Sequence, residues 1–509
     1  MQNSKRVAIN TIAQYTRTVI NMLLSLYTVR IVLITLGASD YGIYSIVAGV
    51  TAMLAFITNA LVATTQRFMS YYQGQHNMNK MKEVFSNSEI MHLFVGGVLV
   101  VVLLALTPIL FNGFLNIDIE RIQAAKYLYY IVVVMLFVTF CTAPFRALLI
   151  SHENIVYISL IDVLDGVLRV VVVTLLSFVS YDKLVMYGVF LLGIQVFNFI
   201  AFSWFSFKKY EECILPKISL LSKAYLRELT SFAGWVVYGT GCYIVKNQGI
   251  AIVINKFLST VANAAYGIGC HVSSAVSTVS SSLLNAMRPQ IVKAEGAGNR
   301  EKMITLSTGL CKFSFFLLTA LCIPCVFEMP RLLQLWLKEV PVYTVLFARM
   351  AIIAAMADSL TGGLSIANEA IGNVKQYHLV LGTLKLMALP LSVLFMYLDF
   401  GPISVVFCFV GVELIVAIIR IPFLEKTGGL KVGEFIKMVW IREIIPVFAS
   451  ITVCFCCVFF IDWKWRFLIT FFSSVVLYVF FIFLLGLTQQ ERKMICSMIF
   501  KNNKSKINK

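Results

Sequence analysis

Ionisable residues interrupt the long apolar segments of this chain, and their types and spacing are those that could bind a charged ligand. The cations are Arg17, Arg169, Lys246, Lys312, Arg349 and Lys385, and the acids are Asp162, Asp165, Asp358 and Glu413. A charge inside a membrane is costly, so such residues face the interior of a helix bundle, where they pair or bind. Because cations outnumber acids in this set, the pattern favours an anionic ligand.

The first apolar segment carries one of these cations within a polar stripe. At about 100° per residue, the turn of a helix brings its polar side chains onto one face. The stripe consists of Asn10, Gln14, Arg17, Asn21, Ser25 and Thr28. We therefore predict that this helix is a cavity wall on which Gln14, Arg17 and Asn21 bind substrate. Arg30 points to the opposite side of the helix, and we expect its side chain to reach the membrane surface.

Lys246 stands among small residues at helical spacing. Gly239, Cys242 and Gly249 share its helix face and would leave volume beside the ammonium group. A substrate site needs such space, although the same residues also allow two helices to pack closely. We predict a substrate-binding role for Lys246, and the same role for Arg349, Lys312 and Lys385.

The two acids Asp358 and Glu413 are predicted ion-coupling residues. Asp358 precedes Gly362 and Gly363, which weaken the helix and leave carbonyl groups free beside a carboxylate, as a cation or proton site requires. A simple kink explains the two glycines equally well.

Three further sets of polar residues complete the candidate list. His271 lies on a hydroxyl-rich face with Ser274 and Thr278, suited to sugar hydroxyls, and is a predicted substrate-binding residue. Asp165 and Arg169 are spaced i,i+4 and are predicted to pair with each other. Arg146 and Arg420 lie close to helix ends, where we expect them to reach lipid headgroups.

Several kinds of site are not predicted. No G-x-x-x-x-G-K-[ST] sequence occurs for ATP, and the five histidines form no H-E-x-x-H or metal cluster, so we predict no catalytic residues, no metal and no cofactor. The cysteines read as apolar packing residues, with Cys322 and Cys325 the pair to check. The net charge of +17 is spread over short loops, which indicates anionic lipids rather than nucleic acid.

The composition requires these residues to be carried on membrane helices. Among 509 residues, 59% are hydrophobic and 13% are charged, which is typical of a polytopic membrane protein. We predict an all-α fold of about 14 transmembrane helices. The predicted spans are 7–36, 42–71, 88–111, 127–150, 156–180, 184–207, 229–256, 262–287, 302–327, 343–369, 376–399, 403–424, 444–461 and 466–488.

Loop charges give this series an orientation. With the N-terminus inside, lysine and arginine in inner loops outnumber those in outer loops by about three to one, which places both termini in the cytoplasm. The first apolar segment is too long and too charged for a signal peptide, so we expect it to be retained.

An internal repeat divides the series. Tyr41-Gly42-Ile43 recurs as Tyr266-Gly267-Ile268, and each copy precedes a helix rich in small residues, a basic helix end and a glycine-containing loop. The same offset relates Asn21 to Lys246. We predict two pseudo-symmetric six-helix lobes, 1–228 and 229–440, followed by two C-terminal helices and a basic tail in 441–509. The basic linker 208–228 is expected to lie on the membrane as an interfacial helix.

Two segments resemble a known family. LGASDYGIY at 36–44 resembles the L-G-x-x-x-[YF]-G-x-[YF] opening of helix 2 in polysaccharide transporters of the multidrug/oligosaccharidyl-lipid/polysaccharide (MOP) exporter superfamily, whose fold is that of the MATE transporters. PQIVKAEGAGNREK at 289–302 is similar to the loop that follows their helix 8. The resemblance implies an O-antigen flippase of the bacterial inner membrane, which moves an oligosaccharide on an undecaprenyl diphosphate carrier.

From the resemblance and the charges together, we expect Arg17 and Lys246 to bind the diphosphate of this lipid-linked oligosaccharide. The two lobes would rock around the substrate in alternating access, coupled to a sodium or proton gradient, with the chain acting as a monomer. Removing either cation should impair transport without lowering the amount of inserted protein. Other polysaccharide-assembly membrane proteins are candidate partners. A multidrug/cation antiporter of the same superfamily and a membrane polysaccharide polymerase remain as alternatives.

Overall fold

The predicted all-α fold is confirmed. A computed structural model describes residues 2–52, 54–111, 119–217, 220–258, 260–337 and 340–493. In these ranges the chain forms helices joined by turns and irregular segments, and it contains no β-strand. The α-helices are α1 Gln2–Ala52, α2 Ala55–Gly74, α3 Met78–Ile109, α4 Ile122–Ser151, α5 Ile155–Leu176, α6 Lys183–Lys209, α7 Lys223–Phe257, α8 Thr260–Gly296, α9 Arg300–Trp336, α10 Thr344–Ser359, α11 Gly362–Ile371, α12 Val374–Tyr397, α13 Pro402–Gly428, α14 Val432–Met438, α15 Trp440–Phe460 and α16 Arg466–Phe481.

Length and apolar composition qualify many of these helices as membrane spans. Within the described ranges, 8 helical segments qualify, and the number rises to 9 if α10 and α11, bent by 46° at their junction, form one broken span. Every predicted span overlaps a helix of the structure. The count of fourteen stays a prediction, because helices such as α5 carry several charges along a membrane-length segment.

A glycine breaks the first long helix where the sequence predicted the end of the first span. Gly37, in the segment 36–44, has φ 79° and ψ 170°, a conformation open to glycine and strained for other residues. The helix continues beyond it to Ala52, and α2 begins at Ala55. The second predicted span, 42–71, therefore corresponds to the end of α1 together with α2.

Contacts divide the chain into two compact units, which are described separately. Unit 1 consists of Met1–Val237 and Arg288–Asn299. In it α4 packs against α2, α3 and α6, and α1 packs along α5. Apolar side chains from α1, α5 and α6, among them Val32, Val173 and Leu191, form a buried core between these helices.

An ion cluster joins the helix ends of unit 1 on the side where α6 begins. Arg121 donates to Asp40 at 2.8 Å and to Asp182 at 2.6 Å. Asp182 also caps α6 by accepting from the backbone N–H groups of Leu184 and Val185. Partial burial raises the pKa of Asp182, but the hydrogen bonds from Arg121 and the backbone outweigh it and leave this pKa below its usual value.

Unit 2 consists of Tyr238–Met287 and Arg300–Lys509. Here α13 packs against α10, α11 and α12, while α9 packs against α10, α11, α15 and α16. One buried core of this unit gathers apolar residues of α7, α8, α10, α12 and α13 around Phe347 and Tyr377. The predicted boundaries at 228 and 440 stay predictions.

The basic linker between α6 and α7 differs from the expectation. Residues 210–217 and 221–222 contain no α-helix, and the linker backbone is held by polar side chains of α3. Lys217 N donates to Ser86 at 3.0 Å, Ser222 N donates to Asn87 at 3.3 Å, and Asn87 donates to the carbonyl of Leu220 at 2.9 Å. The predicted interfacial helix is wrong in these residues because their backbone bonds to α3.

The end of α8 and the end of α2 approach each other closely within unit 1. A Cβ on Gly74 would lie 2.2 Å from the carbonyl oxygen of Lys293, and one on Gly296 would lie 2.0 Å from that of Tyr71. Both positions therefore need glycine. Lys293 also donates to Glu153 at 2.7 Å, so the first residues of the segment 289–302, which resembles the transporter family, pack within unit 1.

We predict that Gly296→Ala destabilises the protein, because the methyl group would push two helix backbones apart. The expected cost is about 2 kcal/mol or more, as for overpacked cores. Thermal unfolding in detergent, followed by size-exclusion chromatography, measures the effect. Gly97→Ala on α3 is the matched control, since nothing lies within 4 Å of its added Cβ. Equal stability of the two variants would contradict the prediction.

Candidate functional site

In unit 1, one aspartate is shared by two arginines. Asp162 on α5 accepts from Arg17 Nη1 on α1 at 2.7 Å and from Arg146 on α4 at 2.7 and 3.0 Å. The exposed fractions of the Arg17 and Arg146 side chains are 21% and 35%, so both arginines stay partly exposed. The structure therefore contradicts the expectation that Arg146 reaches lipid headgroups, because a carboxylate on the neighbouring helix holds it.

The second ion pair of α5 is the one that its spacing predicted. Arg169 Nε donates to Asp165 at 2.6 Å, and Asn198 on α6 donates to the same carboxylate at 2.7 Å. Both acids and Arg169 line a cavity of about 340 Å³ within unit 1, together with Asn21 and Tyr187. Arg17, Arg146, Asp162, Asp165 and Arg169 are called the first cluster below.

The polar stripe on α1 faces the rest of unit 1, as predicted for a helix that walls a cavity. Asn10 and Gln14 are buried, and Asn10 donates to the carbonyl of Glu153 at 2.9 Å. Asn21, Ser25 and Thr28 line the cavity. The stripe thus divides into a packed half and a cavity-lining half. The side chain of Arg30 lies outside the described residues.

In unit 2, two of the predicted substrate residues and both predicted coupling residues form one network. Lys246 on α7 donates to Glu413 on α13 at 2.7 Å, and Lys385 on α12 lies 3.1 Å from the other oxygen of Glu413 and 3.2 Å from Asp358. Arg420 completes the network by donating to Asp358 at 2.9 Å. Lys246, Lys385, Arg420, Asp358 and Glu413 are called the second cluster below.

Lys246 lies in a closely packed place rather than in an open trough. Its side chain is 0% exposed and its Nζ lies 3.9 Å from the centre of the Phe409 ring. A Cβ on Gly239 would lie 2.4 Å from His378, and one on Gly249 would lie 2.8 Å from Leu389. The small residues beside Lys246 therefore admit side chains of α12, and the prediction of free volume is wrong on that face.

At the break between α10 and α11, Arg420 donates hydrogen bonds to a backbone carbonyl and to a hydroxyl group. Its Nη1 donates to the carbonyl of Asp358 at 3.2 Å and to Thr361 at 3.4 Å. Arg420 is only 6% exposed, so the expectation that it reaches headgroups is wrong. Its charge compensates an acid and a helix end inside unit 2. Gly363 sits where a Cβ would lie 2.3 Å from the carbonyl of Ser307, so helix packing also requires the glycine.

Two predicted substrate residues instead have structural partners. Arg349 Nε donates to the carbonyl of Val326 at 2.9 Å, which the missing N–H of Pro330, four residues on, leaves free within α9. Lys312 donates to Glu491 at 2.6 Å, beyond the end of α16. Neither joins the second cluster, because Arg349 donates to a backbone carbonyl of α9 and Lys312 pairs with Glu491.

The hydroxyl-rich face of α8 lines a cavity, as its sequence suggested. His271, Ser274 and Thr278 lie on the wall of a cavity of about 710 Å³ within unit 2, shared with Asn247 and Tyr266. Lys246, Lys385, Asp358 and Glu413 line an adjoining cavity of about 230 Å³. Cys322 and Cys325 are free thiols. In the described residues, no three His, Cys, Asp or Glu side chains gather as a metal site would require.

The two clusters have the same charge balance. Each contains three cations and two carboxylates, joined by ion pairs of 2.6 to 3.2 Å, so each retains one positive charge. The sequence identified the separate charges but missed Arg146 and Arg420 as members. Their i,i+16 and i,i+62 separations from Asp162 and Asp358 give no local signal.

Comparisons with known proteins identify the family and the fold. A family model described as polysaccharide biosynthesis protein matches residues 7–295. No curated protein matches the chain. A crystal structure of MATE in the straight conformation superposes with a TM-score of 0.71 at 15% identity, covering 85% of this chain and 96% of that one. The MATE transporter ClbM in complex with Rb+ gives 0.69 at 16%, covering 81% and 94%.

A third solved structure is a MOP superfamily transporter from Pyrococcus furiosus Vc1, described as having a binding pocket of reverse polarity that suggests a different function. It gives a TM-score of 0.69 at 13% identity and covers 84% of this chain and 96% of that one. The segments 36–44 and 289–302 resemble transporters of the MOP superfamily, and the fold of the chain is similar to solved structures of such transporters. The chain belongs to the polysaccharide biosynthesis protein family, as a multi-pass membrane protein with the fold of the MOP-superfamily transporters.

Proposed function

We propose that this protein is a flippase, which moves an undecaprenyl-diphosphate-linked oligosaccharide, an O-antigen or another surface-polysaccharide unit, across the bacterial inner membrane. Membership of the polysaccharide biosynthesis family supports the class of cargo, and the transporter fold supports movement across the membrane by alternating access. The loop charges support a cytoplasmic position for both termini.

The observation that carries this proposal is the sharing of Asp162 by Arg17 and Arg146. Arg17 and Arg146 each donate to Asp162 at 2.7 Å. One carboxylate cannot neutralise two guanidinium groups, so one positive charge remains among the membrane helices. An unbalanced charge in this environment is costly unless an anion approaches it. Both arginines are partly exposed, and the planar donors of a guanidinium group suit the oxygens of a phosphate or diphosphate.

A multidrug/cation antiporter is the alternative that the fold favours, since the similar solved structures include MATE transporters and one of them is a complex with Rb+. A cationic drug or ion would need a carboxylate that is free to bind it. Asp162, Asp165, Asp358 and Glu413 all contact lysine or arginine at 2.6 to 3.2 Å. The net positive charge of both clusters therefore favours the anionic cargo.

Transport would be coupled to a sodium or proton gradient at Asp358 and Glu413, because a sodium ion or a proton that reached either acid would weaken its pairing with Lys385. The change in pairing would alter the charge that the second cluster presents. Anionic lipids and other polysaccharide-assembly membrane proteins are the proposed partners, with a monomeric transporter as the working unit.

Deletion of the gene, followed by mass spectrometry of the accumulated lipid, tests the proposed function. We expect a complete repeat unit on a polyprenyl diphosphate to accumulate in the inner leaflet. Purified protein in vesicles should then flip that lipid. Accumulation of short, unpolymerised units in the outer leaflet would instead indicate a polymerase. Sensitivity to cationic drugs with normal glycolipid levels would indicate the antiporter.

A further inference from the structure

The C-terminal helices α15 and α16 are tied to α9 by ion pairs at both ends. At one end, Arg466 donates to Glu328 at 2.9 and 3.2 Å, and Thr470 donates to the same acid at 2.8 Å. At the other end, Lys312 donates to Glu491 at 2.6 Å. The buried charges at the contact of these two helices with α9 have no part in the proposed transport site.

A second carboxylate lies beside the Lys312–Glu491 pair. Glu443, in the first turn of α15, is 3% exposed, and neither of its side-chain oxygens has a hydrogen-bond partner among the residues that the structure describes. Lys312 on α9 interacts electrostatically with Glu443 as well as with Glu491. An ionised carboxylate left without any partner in an apolar place costs far more than a neutral one. The geometry therefore fits a protonated Glu443 and an ionised Glu491.

The other titratable groups around Glu443 do not replace Lys312. Cys311 on α9 and Tyr478 on α16 interact with it electrostatically, but neither is cationic. On α14, Glu434 pairs with Lys431 at 3.0 Å, and Lys437 is exposed. Arg442 acts on Lys312 by repulsion. A proton needs no ligand other than the carboxylate itself, so it fits an acid whose two oxygens meet no hydrogen-bond partner in the described residues.

We propose that Glu443 is a proton-binding site, and that Lys312 pairs with Glu491 when Glu443 is protonated and with Glu443 when it is ionised. Loss of the proton to water would place two carboxylates around one ammonium group. The buried acid would then draw Lys312 more strongly, because Glu491 is partly exposed and can be hydrated.

The carboxylate with which Lys312 pairs would determine how firmly the chain after α16 is attached to α9. Thr488 N donates to Glu491 at 2.7 Å and Glu491 N donates to the hydroxyl of Thr488 at 3.2 Å, which begins a short helical turn. Lys312 is the tie from this turn to α9. When Lys312 turns to Glu443, the segment 488–493 keeps its own turn but loses that tie. The site would thus couple a proton to the docking of the C-terminal segment.

Infrared difference spectroscopy and hydrogen exchange on the full-length protein in lipid nanodiscs test this proposal between about pH 5 and about pH 9, both above the ordinary range of a glutamate. We expect a buried carboxylic-acid band at low pH that disappears on titration and is absent from Glu443→Gln. When the pH is raised, amide exchange in 488–493 of the wild type should accelerate about tenfold more than in Glu443→Gln. This is the difference that loss of a charge-assisted hydrogen bond predicts.

Two further variants separate the parts of the proposal. In Glu491→Gln, Lys312 has only Glu443 as a carboxylate partner, so the acid band should be weakened at the pH where the wild type shows it. Glu434→Gln on α14 is the matched control and should leave the band and the exchange unchanged. Absence of a Glu443-dependent band throughout the pH range would overturn the proton site. A band that titrates while exchange in 488–493 matches Glu443→Gln would overturn the role of Lys312.

Discussion

Arg17→Ala should reduce flipping of the lipid-linked oligosaccharide at least about tenfold while leaving the amount of folded protein close to wild type. The first effect follows because a charge-assisted hydrogen bond to a phosphate contributes about 1.5–3 kcal/mol. The second follows because Asp162 keeps two hydrogen bonds, at 2.7 and 3.0 Å, from Arg146. A flipping assay in vesicles and size-exclusion chromatography measure the two quantities.

Two companion variants distinguish cargo binding from charge balance. Arg17→Lys restores the charge without the planar donor pair, so we expect partial recovery. Arg17→Ala combined with Asp162→Asn has the same net charge as the wild type, and we expect it to remain defective because no guanidinium replaces Arg17. Lys80→Ala removes an exposed cation, paired with Glu83 on the same helix, and should transport normally. Full recovery in the double variant would show that Arg17 only balances Asp162.

Much of the fold follows from local features of the sequence. Apolar runs of membrane length predicted helices that the structure contains, and Gly37 marks a break at the predicted end of the first span. Spacing within one helix was also sufficient for the pair Asp165 and Arg169, whose side chains meet at i,i+4. These features depend on a few neighbouring residues, so a single sequence contains the information.

The site depends on pairings that no local pattern encodes. Arg17 and Asp162 are 145 residues apart, and Lys246 and Glu413 are 167 residues apart. Each charge could be recognised as costly in a membrane, but its partner is selected by the packing of helices distant in the chain. The sequence therefore predicted more unpaired cations than the structure contains, and it assigned Glu413 and Lys246 to separate roles although they form one pair.

Small residues and helix ends were the two ambiguous signals. Gly239 and Gly249 beside Lys246 were compatible with a cavity or with close packing, and side chains of α12 fill the space. Arg146 and Arg420 lie near helix ends, where an arginine reaches either the membrane surface or a neighbouring helix. Both reach an aspartate, at 2.7 and 2.9 Å. In each case the deciding information is the identity of the neighbouring helix.

Lys246→Ala should, unlike Arg17→Ala, lower the amount of folded protein as well as transport. Lys246 is 0% exposed and 2.7 Å from Glu413, so its removal leaves a buried carboxylate with Lys385 as its remaining cation. Breaking a buried ion pair by removing one partner costs about 3–5 kcal/mol. We expect the lower end of this range, because Lys385 still lies 3.1 Å from Glu413. Thermal unfolding in detergent measures the loss of stability. This prediction replaces the expectation from the sequence that removing Lys246 leaves the amount of protein unchanged.

A double variant separates the stability effect from the effect on transport. Lys246→Met with Glu413→Gln keeps the volume of both side chains and removes both charges, so folding should recover, as replacement of buried pairs by uncharged residues generally allows. Lys385, Arg420 and Asp358 would then retain one positive charge between them, equal to that of the intact cluster. If that net charge alone attracts the cargo, flipping should recover together with folding. We expect flipping to stay low, because in the proposed function Glu413 is a coupling acid whose pairing with Lys385 changes, and the double variant removes its carboxylate.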